Sequence, residues 1–152
     1  MSTGHASRPR FQPANPDFAT VVAASFTRQG LMTDIGARLA VIEPGHVVIE
    51  VPFSDRLSQQ GGFFHGAVMG AIGDSAGGYA TLALMPAGSE VVTVEYKINF
   101  MRPAAGELLR ATGRVLRPGR TATVASIEVE AIAGGQSTLA GVLLATYTRI
   151  PV

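Results

Sequence analysis

The sequence predicts an α+β domain in which a curved antiparallel sheet wraps around one long central helix. Three observations carry that expectation. His65 to Leu84 is an apolar, glycine-loaded run with too few polar residues for a surface helix. Segments of alternating polarity flank it, two before and four after. The later segments are joined by short turns, Pro118-Gly119 and Gly134-Gly135-Gln136, which suit antiparallel neighbours in a meander.

Taken in order, residues 1–16 hold Arg8, Pro9, Arg10, Pro13 and Pro16 but no apolar run. They read as a loose tail in a cytoplasmic protein, not a secretory signal. The single domain then occupies 17–152. Asp17 to Leu31 forms a first helix, with Phe18, Val21, Val22, Ser25 and Phe26 on a mostly apolar stripe and Gly30 as its stop. Ala37 to Ile42 and Val47 to Phe53 are strands around the turn Glu43-Pro44-Gly45-His46. Ser54 to Gly62 is a polar loop. The glycines of the long helix oppose helix formation by about 1 kcal/mol each relative to alanine, so close tertiary packing must reward them. Val92 to Phe100 alternates as a half-buried strand and ends before Pro103. Leu109 to Val115, Ala122 to Ala133 and Leu139 to Ile150 complete the sheet.

Composition narrows the function. A chain of 152 residues with a net charge of +1 has no global pull toward nucleic acid or an anionic membrane. It has no cysteine, hence no disulfide, thiolate or sulfur-ligated metal. The histidines, His5, His46 and His65, share no ligand spacing, so no metal site is expected. Phe63 to Met85 is long enough to cross a bilayer, but Asp74 would sit near its centre at about 2.5–3.5 kcal/mol. A buried helix is the better reading.

Asp74 is the one acid in that helix, and a carboxylate that has lost water needs a reason to be there. One reason is chemistry, as a nucleophile or a general base; the other is a satisfied buried acid bonded to neighbouring backbone. Gly73-Asp-Ser75-Ala-Gly77 matches a hydrolase elbow in letters only. That elbow joins a strand to a helix and has its histidine later in the chain, whereas no histidine follows His65. Ser75 is read as a small packing residue. The helix start offers a second group: the N–H of Gly66 is free of a helical partner and lies at the positive end of the dipole. It suits a developing oxyanion. Gly66 and Asp74 are eight residues apart, about 12 Å along the axis. Joint action therefore requires two chains, with Gly66 of one protomer meeting Asp74 of another.

The spacing of Gln59, His65-Gly66 and Asp74, together with Val92-Thr-Val-Glu-Tyr-Lys-Ile-Asn-Phe-Met-Arg-Pro-Ala, resembles the hotdog-fold acyl-CoA thioesterases. The resemblance runs from about Ala37 to Arg149 and is nearest to the PaaI-like and 4-hydroxybenzoyl-CoA thioesterase types. It implies that Gly66 polarises the thioester carbonyl and that Asp74 of the partner chain attacks it or activates water. Gln59 would orient water or the acid, His65 would hold the helix start, and Thr93 would position water. Ala67 stands where the family usually has a second glycine, and Gly78 where some members carry a hydroxyl. The substrate would be an aromatic or medium-chain acyl-CoA, with Phe64 and Ala67 beside the acyl group and Arg102, Arg117 and Arg120 on the phosphates. Phe63, Met69 and Tyr79 are further candidates for the pocket. A homodimer or homotetramer is implied, and no metal or redox cofactor. A hotdog hydratase would need a histidine where Tyr79 stands, and a noncatalytic acyl-CoA sensor would need no acid.

Overall fold

The computed structural model describes residues 11–152. Two short helices, α1 (Phe18–Phe26) and α2 (Gly30–Asp34), precede the strands β1 (Arg38–Glu43) and β2 (His46–Pro52). The central helix α3 (Gly66–Leu82) follows, then β3 (Ser89–Phe100), β4 (Leu108–Arg117), β5 (Ala122–Ala133) and β6 (Gln136–Pro151). The six strands form one antiparallel sheet in the order β1-β2-β4-β5-β6-β3, and α3 packs against β2 to β6. This is the hotdog arrangement.

The core lies between α3 and the concave face of the sheet. Alternation delivers Val47, Ile49 and Val51 from β2, Leu109 from β4 and Ile127 from β5 to that face, each 0% exposed. Ile72 and Ala76 of α3 meet them, also at 0%. The helical glycines serve close approach. A Cβ on Gly77 would lie 2.3 Å from the Tyr147 hydroxyl, and one on Gly73 would lie 2.9 Å from Leu143. At Gly113 of β4 the obstacle is backbone, since a Cβ there would meet the Ala76 carbonyl oxygen at 2.5 Å. Helix and sheet therefore touch backbone to backbone. On the outer face Glu50 of β2 is 7% exposed and joins β1 to β4. Its Oε2 accepts from Arg38 at 2.8 and 3.1 Å, and its Oε1 from Arg110 at 2.7 and 2.9 Å.

Several expectations are corrected. The first helix is broken: α1 ends at Phe26, and Gly30 opens α2 instead of closing α1. The meander holds for β4, β5 and β6 only. β3 does not neighbour β4; α3 carries the chain across the concave face, and β3 joins the far edge beside β6. As an edge strand it is mostly exposed, not half-buried, with Val94 at 59% and Phe100 at 57%. A register shift between Thr93 and Glu95 turns both Thr93 and Tyr96 toward α3. The expected tail, 1–16, lies in part outside the described residues. Within 11–16 the chain is docked: Phe11 packs on the core, and Ala14 N–H donates to the Leu84 carbonyl at 3.3 Å.

Candidate active site

Asp74 is half-buried on α3, where the helix faces β3 and β6. Burial raises its pKa above the ordinary aspartate value, and hydrogen bonds from Thr93 and Tyr147 reverse only part of that rise. Thr93 Oγ1 donates to Asp74 Oδ1 at 2.8 Å. The Tyr147 hydroxyl donates to the Asp74 main-chain oxygen at 2.9 Å. Tyr147 is 0% exposed, and burial, then the Asp74 charge, push its own pKa far up. It therefore remains a proton donor at any working pH. The acid is desolvated, oriented from two strands and ready to accept a proton or attack carbon.

Gly66 opens α3, and its N–H makes no hydrogen bond among the described residues. His65 is the N-cap: its Nδ1 accepts from Ala67 N–H at 2.9 Å. That caps the helix start and occupies the Ala67 N–H. Within one protomer Gly66 and Asp74 stay about 12 Å apart along the helix axis. Gln59 does not bridge them, because its side-chain oxygen folds back onto Gly61 N–H. Its position is set by the loop, where Gln59 N–H donates to the Phe63 carbonyl at 2.9 Å.

The expected substrate-binding residues scatter. Phe64 is 3% exposed and packs edge-on to Phe53, with centroids 5.0 Å apart. It is a core residue in the protomer, not a wall of an open cleft. Ala67 is exposed beside the helix start. Arg102 lies near Ala140 of β6, and its Nη1 donates to the Leu139 carbonyl at 3.3 Å. Arg117 and Arg120 flank the β4–β5 turn, next to Ala122, which pairs with Thr148 of β6. Ala140 and Thr148 are eight residues apart on one strand, about 26 Å. The three arginines of a protomer therefore cannot grip one phosphate group together. Ser75 Oγ donates to Gln29 Oε1 at 3.3 Å, and its position mid-helix keeps it from any nucleophile–histidine pair.

A cleft of about 290 Å³ opens beside the acid. Asp74, Gly78 and Tyr79 of α3, Thr93 of β3, and Ser25 and Gln29 from the α1 end line it. Sequence reading missed Tyr147, Ser25 and Gln29. For Tyr147 no local signal exists; only the β3–β6 register, which pairs it with Thr93, reveals it. For Ser25 the signal was its place in an otherwise apolar helical stripe.

The fold is that of the hotdog class. Comparison with known proteins agrees: residues 61–138 match the family model described as the thioesterase superfamily, and the chain belongs to that superfamily. A provisionally named esterase of Saccharolobus solfataricus is 37% identical over 87 residues, 57% of this chain and 61% of that protein. The aligned part thus spans about three-fifths of that relative's length. The crystal structure of a thioesterase family protein from Silicibacter pomeroyi superposes with a TM-score of 0.87 at 38% identity, covering 89% of this chain and 99% of the other. The PaaI protein of the E. coli phenylacetic acid degradation operon superposes at 0.79 over 90% of this chain and 96% of its own. At 21% identity that is a likeness of fold alone. Among the described residues no helix is long and apolar enough to cross a membrane.

Proposed function

We propose that the chain hydrolyses acyl-CoA thioesters at a site shared between two protomers, releasing the free acid and coenzyme A. The observation that carries the reading is Asp74 itself: a desolvated carboxylate with a raised pKa, held by Thr93 and Tyr147 at the mouth of a cleft. The Gly66 N–H of the partner supplies the donor for the thioester carbonyl, since the protomer's own lies too far away. Either water adds to the thioester carbon with Asp74 as base and the carbon–sulfur bond breaks, or the Asp74 carboxylate adds first and expels the thiolate, and water then cleaves the resulting anhydride. The proton given up by water ends on the coenzyme A thiolate. The size of the cleft suits an aromatic or medium-chain acyl group.

The edge of β3 supports the shared site. It is a 12-residue strand with one side unpaired, and Val94, Tyr96, Phe100 and Met101 are 42–59% exposed on or just beyond it. Tyr96 and Phe100 stand over Gly70 and Gly66, on the flank of α3 that a partner helix would approach. Pairing of two such edges covers these side chains and sets the helices antiparallel, as a dimer or as half of a tetramer. Arg102 of one protomer and Arg117 and Arg120 of the other are the candidate phosphate ligands. A cytoplasmic setting, where coenzyme A thioesters are dissolved, fits this activity.

The test is turnover of an acyl-CoA panel by purified protein with free-thiol detection. Asp74→Asn is expected to lower kcat by about 10²- to 10⁴-fold while the oligomer persists. Normal turnover by that variant, or no thioester cleaved by the wild type, removes the proposal.

A further inference from the structure

Three contacts tie one flank of α3 to β3. The Phe100 ring rests on Gly66, the Tyr96 hydroxyl on Gly70, and the Thr93 hydroxyl on Asp74. A Cβ at Gly66 would lie 3.0 and 3.1 Å from two atoms of the Phe100 ring, and one at Gly70 would lie 3.0 Å from the Tyr96 hydroxyl. Gly66, Gly70 and Asp74 stand four residues apart in turn, so they share one side of the helix. Neither ring belongs to the core, and Phe100 is 57% exposed. A large apolar ring thus lies bare beside the Gly66 N–H, the helix-start donor that makes no hydrogen bond among the described residues.

Resting on the two-protomer thioesterase reading above, we propose that Phe100 is a positioning residue that keeps water off the Gly66 donor, and that it acts in the site whose acid comes from the partner. A two-fold axis that brings Gly66 of each protomer to Asp74 of the other passes beside Gly70, midway between them in the helix. Tyr96, which covers Gly70, lies in the middle of the Thr93 to Phe100 stretch of β3. The same axis therefore pairs the β3 edges about Tyr96 and brings each Phe100 to the partner's Thr93. Each shared site then takes Gly66 and Phe100 from one protomer and Asp74, Thr93 and Tyr147 from the other. An N–H stabilises a developing oxyanion strongly only where water does not compete for it. A helix start at the surface cannot exclude water alone; the Phe100 ring does so, and residue 66 must lack a side chain for the ring to lie this close. The benefit falls mainly on the transition state, where the carbonyl oxygen is charged, and little on substrate binding.

The experiment measures kcat and KM for Phe100→Ala on an acyl-CoA that the wild type cleaves, and then pairs the variant with Asp74→Asn. Phe100→Ala should lower kcat by about tenfold and leave KM within about twofold. A heterodimer of Phe100→Ala with Asp74→Asn, co-expressed under two affinity tags, should recover about half the wild-type kcat, because one of its two sites keeps every group. That site takes Gly66 and Phe100 from the Asp74→Asn chain and Asp74 from the other. Should Phe100→Ala fail to dimerise, Phe100→Leu replaces it in both measurements, with an expected drop of about threefold. A heterodimer no faster than the Phe100→Ala homodimer places the ring and the acid of one chain in the same site and overturns the inference. An unchanged kcat, or a rise in KM alone, overturns it as well. In each of these cases the thioesterase reading stands; failure of the wild type to cleave any thioester removes both.

Discussion

Thr93 Oγ1 donates to Asp74 Oδ1 at 2.8 Å, so an edge strand holds the only acid of the central helix. The contact depends on the register shift after Thr93, which sets that side chain toward the helix. Its partner across the ladder, Tyr147, grips the Asp74 backbone from below. One acid is thereby fixed by two strands, β3 and β6, that pair directly at one edge of the sheet.

Removing the Thr93 hydroxyl should change the pH profile as well as the rate. The hydrogen bond favours the ionised carboxylate, so Thr93→Val leaves burial less opposed and lifts the Asp74 pKa further. The wild type should show an acid limb in kcat/KM that lies above the ordinary aspartate range. In Thr93→Val that limb should move to higher pH, and the plateau should drop by about tenfold. An unmoved limb would show that Asp74 is not the group titrating.

Asp74→Asn should be more thermostable at neutral pH, not less. The folded pKa is raised, so the folded chain holds the proton more tightly than the unfolded one. Ionisation then weakens folding: the penalty is absent below the unfolded pKa and complete above the folded one. Asparagine keeps an acceptor for Thr93 and carries no charge. The Tm difference should shrink as pH falls through the Asp74 pKa, which calorimetry across pH can follow.

Gly113→Ala should be among the most damaging single-methyl additions in the chain. The new Cβ would sit 2.5 Å from the Ala76 carbonyl carbon and oxygen, and backbone atoms cannot swing aside. A loss of about 1–3 kcal/mol or more is expected from overpacking, read as a lower midpoint in urea. Gly78→Ala is the control: its Cβ would meet Tyr147 at an ordinary 3.5 Å.

Glu50→Gln should weaken folding and leave chemistry alone. Burial raises the Glu50 pKa, and the Arg38 and Arg110 guanidiniums more than reverse it, so the net shift is downward. The stability it contributes is present above the unfolded carboxylate pKa and lost as pH falls through the folded one. Both arginines reach solvent, at 64% and 39% exposure, so a loss of about 1–2 kcal/mol is expected, below that of a fully buried pair. Denaturant melts at neutral and acid pH check both the size and the sign.

Local chemistry made much of this molecule readable. The glycine-loaded helix, the strand spans and the isolated acid all follow from pattern and desolvation, and the structure keeps them. The errors arise where information is non-local. Alternation in Val92 to Phe100 shows that the strand has two faces, not whether anything covers them, and β3 proved to be an edge. Gly30 signals a break in helical pattern equally well as a stop or a start. Tyr147 and Gln29 reach the site through pairing and packing between segments far apart in the chain, for which no spacing rule exists. Phe64 looked like a pocket residue because it precedes the helix start, but its neighbour in space is Phe53.

The backbone contact between Gly113 and Ala76 has a consequence for redesign. The machinery around Asp74 is clamped to the sheet with no slack, so altering α3 to change preference would misplace the acid. The two short N-terminal helices touch that machinery only from the side. New substrate choice is therefore best sought by rebuilding Ser25 to Gln29, which can be recarved while the reacting groups stay where they are.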